Sequence, residues 1–146
     1  MISNSLIQKS IILRLKADTA LTTWLNARNA TNEIREINWQ GSVFVYPNVR
    51  IQVGTQREIG DPPCFSQCPF TVYSFSEQDS SKQADVLANL IDSALIRKHL
   101  LPGTGDGFTT GIVISDGSVK ATRRGERIWQ AVNTYRVSLY GGFLSG

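Results

Sequence analysis

The chain has 146 residues, 41% of them hydrophobic and 18% charged, with a net charge of +3. A chain of this length and composition can bury a core without disulfide or metal staples, so one globular domain spanning 1–146 is expected. No membrane span is expected, because the longest apolar runs, Ile11-Ile12-Leu13 and Val43-Phe44-Val45-Tyr46, fall far short of the about 20 residues a spanning helix needs.

The first residues read as an amphipathic helix: Ser5-x-x-Gln8 offers a capping box, and Ile7, Ile11, Ile12 and Leu15 recur at helical spacing. Asp18 is placed to cap a second, short helix carrying Leu21, Trp24 and Leu25. Asn26–Gln40 is polar and irregular and reads as loop, with Ile34, Ile37 and Trp39 as anchors. Val43–Tyr46 and Val49–Gly54 read as two extended segments broken by Pro47; in the second, Val49, Ile51 and Val53 alternate with polar residues. Thr55–Cys68, with Gly60, Pro62 and Pro63, is too long for a tight turn and reads as a protruding loop.

Phe70–Ser76 is a strand with apolar residues on both faces, Phe70 and Val72 on one and Tyr73 and Phe75 on the other, which marks it as central or interfacial. The clearest helix follows. Ser80-x-x-Gln83 offers a capping box, Ala84, Leu87, Leu90, Ile91, Ala94 and Leu95 form one stripe, and Arg97, Lys98 and His99 fall in its expected last turn before Pro102-Gly103. Its expected length is about 19 residues, or about 29 Å. Gly103–Gly107 reads as a flexible connection, Phe108–Ser115 as a strand, Asp116-Gly117 as a turn, and Val119–Arg123 as the returning strand. Arg124-Gly125-Glu126 then turns into a last strand, Arg127–Tyr140, in which Trp129, Ala131, Tyr135, Val137 and Leu139 alternate with polar residues. Gly141–Gly146 reads as a frayed end whose Phe143 and Leu144 are candidates for docking on a neighbour. Helix, strands, helix, strands without β-α-β alternation indicates an α+β fold with a mostly antiparallel sheet and one open face.

Catalytic signals are weak. His99 is the sole imidazole, Cys64 and Cys68 are the only thiols, and together they cannot supply the four ligands of a structural zinc site. Both cysteines are expected to be reduced. Gly103-x-Gly105-x-Gly107 lacks the Lys-Ser/Thr of a phosphate loop and follows a helix instead of preceding one. Asp79 and Asp85 suit the start of a helix, and Asp116 a turn. No metal, no cofactor and no enzymatic activity are expected.

The charge distribution carries the most information. From Lys120 to Arg136 there are five basic residues (Lys120, Arg123, Arg124, Arg127, Arg136) against Glu126 alone, a balance of +4, whereas the rest of the chain sums to −1. Three readings fit this basic hairpin: a solvated face, a surface that meets acids such as Glu33, Glu36, Glu58 or Asp61 of a neighbouring subunit, or a contact to nucleic-acid phosphate. Arg123, Arg124 and Arg127 straddle Gly125, so a tight turn would gather them at one tip.

Several stretches carry a family resemblance: Leu15–Leu21 at the end of the N-terminal helix, Tyr46–Gly54, Phe70–Phe75 leading into Gln83–Leu95, and the closing Tyr135–Leu139. In this order, over roughly residues 5–140, the chain resembles the tail-completion or tail-terminator proteins of tailed bacteriophages. The resemblance implies a structural virion subunit, assembled in the host cytoplasm, that closes into a ring, typically of six copies. Such a ring caps the head-proximal end of the tail tube and joins it to neck and connector proteins. DNA would pass through it without being specifically bound. The expected interface residues are Lys120, Arg123, Arg124, Arg127 and Phe143. Other readings of the same pattern are a head-side neck adaptor or stopper, a small nucleic-acid-binding module, and a small cysteine enzyme.

Overall fold

The computed structural model describes residues 2–30, 32–38, 45–60, 65–78 and 80–141, without the side chains of 119 and 120. Its elements are α1 (Asn4–Ala17), α2 (Thr19–Asn26), β1 (Ile34–Glu36), β2 (Asn48–Val53), β3 (Arg57–Ile59), β4 (Phe65–Glu77), α3 (Lys82–Leu95), β5 (Phe108–Thr110), β6 (Ile114–Gly125) and β7 (Ile128–Gly141). The expected α+β class is what forms. The strands make one sheet in the order β1-β2-β4-β7-β5, with β3 added beside β4 and β6 beside β7. Of the described strand pairs only β1 and β2 run parallel, and the others are antiparallel; the isolated bridge between Ile96 and Val113 is also parallel.

Two long strands form the spine. β4 and β7 pair from Ser66↔Leu139 to Glu77↔Ile128, and each serves two partners on its other side. Strict alternation decides what each face does. Phe70 and Val72 of β4, and Tyr135, Val137 and Leu139 of β7, point to the helices and are buried. They meet Ile7, Ile11 and Leu15 of α1, Leu21 and Leu25 of α2, and Leu87, Ile91, Ala94 and Leu95 of α3. The Phe70 and Tyr135 rings stack at 5.3 Å between centroids. All three helices lie on this one face, so among the described residues no helix covers the other.

Asp18 caps α2 as expected, its Oδ1 accepting from Ala20 N at 3.1 Å. Neither capping box forms: α1 starts after Ser3 and α3 after Ser81, and neither cap makes a side-chain bond to its helix. α3 also stops after 14 residues, short of its basic cluster. Ile96 turns extended and bridges Val113, and His99 bridges Ile112, so sheet pairing captures Arg97–His99 before the helix can include them. The His99 ring shares a hydrogen bond with Thr110 O at 2.8 Å. The expected dipole role is therefore replaced by a tether.

Three expected loops carry structure. Asn26–Gln40 contains β1, because Ile34 finds a parallel partner in Val49; Trp39 lies outside the described residues. Thr55–Cys68 contains β3, which pairs back on the start of β4. Gly103–Gly107 is fastened by Asp106, which accepts from Gly103 N at 2.7 Å and faces Lys9 at 3.5 Å. Asp116-Gly117, expected as a turn, lies inside β6 as a bulge. Gly117 sits at φ 123, a value that favours glycine, and β6 continues for eight more residues.

Candidate subunit interface

β6 and β7 form the long C-terminal hairpin. Two residues, Glu126 and Arg127, connect them, with Arg127 at φ 63. β6 has one residue more than β7 at each of three places, between Ser115 and Gly117, Val119 and Thr122, and Arg123 and Gly125. A bulge bends its strand and increases the local right-handed twist. The tip is tied down at its base: Gln78 N donates to Arg127 O at 2.9 Å, and Trp129 Nε1 donates to Gln78 O at 3.1 Å.

The structure gathers the backbone of Arg123, Arg124 and Arg127 at this tip but sends the Arg123 and Arg124 side chains to different partners. Arg123 donates its Nε to Gly125 O at 3.1 Å, whereas Arg124, the extra residue of the last bulge, donates to Gln130 Oε1 at 2.5 Å. Both are exposed, and neither has an acidic partner among the described residues. Arg136 lies apart from the tip and pairs with Asp116 at 3.2 Å. Lys120 sits in β6 with its side chain outside the description, and Phe143 lies outside the described residues.

Of the acids expected to face this hairpin across a subunit contact, Glu33 is unavailable. It is 5% exposed and accepts at 3.1 Å from Nη2 of Arg50, itself 2% exposed, while Arg50 also donates to Glu33 O at 2.7 Å. The pair closes the sheet beside β1 by satisfying each other's charge internally. Glu36 accepts from Asn38 N at 3.1 Å, Glu58 stands exposed on β3, and Asp61 lies outside the described residues.

The face opposite the helices presents Thr71, Tyr73 and Phe75 of β4 beside Gln130, Val132 and Thr134 of β7. The Tyr73 and Phe75 rings stack at 6.4 Å, and the Tyr73 hydroxyl donates to Gln52 at 3.1 Å. Farther along, Tyr140 packs by Phe65 at 5.7 Å, and both Tyr140 and Ile114 are exposed. An aromatic and β-branched face without a helix over it is a surface suited to a second protein.

The sequence did not point to the polar cluster under α3. Asn133, 1% exposed, donates from Nδ2 to Ala88 O at 3.0 Å, Asp92 Oδ1 at 3.2 Å and the Tyr135 hydroxyl at 3.0 Å. Tyr135 in turn donates to Asp92. Burial, then the Asp92 carboxylate, push the tyrosine pKa well above its usual range. The available signal was a lone asparagine at a core-facing position of β7, two residues before Tyr135.

The one cysteine among the described residues is not prepared as a nucleophile. Cys68 is fully buried, and desolvation pushes its thiol up to about 11, away from the thiolate needed for attack. Cys64 lies outside the described residues. Among the described residues, no cluster of three His, Cys, Asp or Glu side chains is arranged to hold a metal, and no helix is long and apolar enough to cross a membrane.

No protein-family model and no curated protein matches the chain. Solved structures do match its fold. A chain from the virion of a native gene transfer agent particle superposes with a TM-score of 0.66 at 14% identity, covering 95% of this chain and 100% of that one. A second solved chain superposes with a TM-score of 0.57 at 16% identity, covering 95% and 96%. Both similarities run nearly end to end, so the helices, the sheet and the hairpin are shared as one architecture.

Proposed function

We propose that this chain is a structural subunit of a phage-type virion, a tail terminator whose copies close into a ring, six in number, on the head-proximal end of the tail tube. The observation that carries this reading is the match in fold to a chain of a gene transfer agent virion over 95% of this chain and 100% of that one. The surfaces agree with it. Among the described residues, an aromatic sheet face lies free of helices, and Arg123 and Arg124 sit at a hairpin tip without acidic partners. A head-to-tail ring requires two different complementary patches on each subunit, and this chain has surfaces of different chemistry to offer. The ring would join the tube to neck proteins and let DNA pass through its lumen without reading it. In this role the chain acts by shape and adhesion and has no catalytic step.

The test is assembly. Purified protein mixed with tail tubes should cap one end of each tube as a ring visible by electron microscopy, and should halt tube growth. Charge reversal of Arg123, Arg124 and Arg127 together should leave a folded monomer that caps nothing. Intact rings from the triple variant would remove the hairpin from the interface. Absence of rings from the wild-type chain, both alone and on tubes, would sink the terminator reading.

A further inference from the structure

A recess of about 350 Å³ opens between α3 and the β6–β7 hairpin, lined by Asp85, Asn89, Asp92, Ser118 and Asn133 over Ala88 and Ala131. Asp85, Ala88, Asn89 and Asp92 form one stripe on the helix, since residues three, four and seven apart share a face. The two carboxylates lie two turns apart, about 10 Å along the axis. Asp85 reaches only the Ala121 amide, at 3.4 Å, and neither carboxylate is in an ion pair among the described residues.

A second observation comes from the floor of the recess. Two of the oxygens that the Asn133 amide nitrogen serves, Ala88 O and Asp92 Oδ1, carry no proton, so exchanging its nitrogen and oxygen would set oxygen against oxygen at both. The orientation is therefore determined, and it leaves Asn133 Oδ1 buried with no donor. A buried acceptor left unpaired costs about 1–3 kcal/mol, a deficit that an entering donor relieves. Two carboxylates and this unpaired oxygen give the recess a surplus of acceptors.

We propose that this recess receives the guanidinium of Arg123 or Arg124 from the hairpin tip of a second copy of this chain. The inference rests on the ring reading and supplies its two complementary patches, a basic tip and an acidic recess. Charge complementarity selects the occupant. Among the described residues, Arg123 and Arg124 each use only their Nε, so both terminal nitrogens of each remain for carboxylates of a neighbour. The separation of the two carboxylates suits an elongated fork of donors better than one compact ion, which needs its ligands converging on a point. The contact is also heterologous, tip to recess, and so it can repeat around an axis until it closes.

The test uses two variants of the full chain, each disabling one side. Asp85→Lys spoils the recess and leaves the tip, whereas Arg123→Glu with Arg124→Glu spoils the tip and leaves the recess. The tip variant is labelled with ¹⁵N, and the unlabelled recess variant is added to about 1 mM, a concentration at which millimolar contacts register. Amide signals of Asn89 and Ser118 and the Asn133 side-chain signal should shift and saturate. Affinity should fall about tenfold between about 0.05 and 0.5 M salt. Labelling the other partner should move the tip signals, and neither variant alone should show concentration dependence at these positions. A mixture in which the recess signals stay fixed overturns the inference. If wild-type protein then shows concentration-dependent shifts at other surfaces, the ring reading survives without the recess; if it shows none and forms no ring on tubes, both fail. Shifts produced by magnesium or spermidine but not by the second copy also overturn it.

Discussion

Replacing Tyr135 with Phe removes one oxygen from the centre of the polar cluster and leaves the packing in place. The Phe70 stack at 5.3 Å depends on the ring, which remains. What is lost is the hydrogen bond to the Asp92 carboxylate and the acceptor offered to Asn133. A bond to a charged group contributes about 1.5–3 kcal/mol, and Asp92 is only half-buried, so water restores part of it. The expected cost at pH 7 is about 2 kcal/mol, or about 4–8 °C in Tm for a chain of this size.

The same residue carries a pH signature. The Tyr135 pKa is raised in the folded state, whereas an unfolded tyrosine ionises near about 10. The stabilisation is thus fully present below about pH 10. Above it the unfolded chain releases a proton that the folded chain keeps, and stability falls by up to about 1.4 kcal/mol per pH unit. Tyr135→Phe has no such loss, so the gap between wild type and variant should close as pH rises from about 10 to 11.5. Urea unfolding followed by the fluorescence of the three tryptophans, at pH 7 and at alkaline pH, measures this directly. An equal gap at both pH values would refute the ionisation argument, and no gap at pH 7 would refute the hydrogen-bond argument.

Four further outcomes follow from other sites. The Cys68 thiol is raised by burial from 9 to about 11, so its contribution is complete below about pH 9 and is lost as pH climbs through 11; Cys68→Ala should flatten the stability curve in that window. Glu33→Gln strips the buried Arg50 of its carboxylate while leaving the backbone oxygens of Glu33 and Val49, and should cost about 3 kcal/mol in urea unfolding. Combining Glu33→Leu with Arg50→Met should recover most of that cost, because both charges leave together. Gly117→Ala meets no atom within 4 Å, so its expected cost of about 1–3 kcal/mol comes from backbone strain at φ 123 alone; thermal unfolding would show the drop, and an unchanged Tm would mean the bulge relaxes.

Period and capping made much of this protein legible from its sequence. The stripes Ile7-Ile11-Leu15 and Leu87-Ile91-Leu95, the Asp18 cap, and the alternation in β4 and β7 are local patterns, and local patterns are what backbone geometry converts into helices and strands. From these followed the α+β class, the central place of β4 and the hairpin with its surplus charge. What the tertiary structure decided was every feature set by a partner distant in sequence. β1 and β3 are too short to announce themselves and exist because β2 and β4 offer them free edges. α3 ends at Leu95 because Val113 competes for Ile96, and Asp116-Gly117 becomes a bulge because Thr134 and Tyr135 hold the strand on either side. Glu33 left the surface because Arg50 lay close enough to neutralise it. The acceptor-lined recess belongs to the same class: its residues come from α3, β6 and β7, and only the packing of helix on sheet leaves Asn133 with one atom in need of a partner.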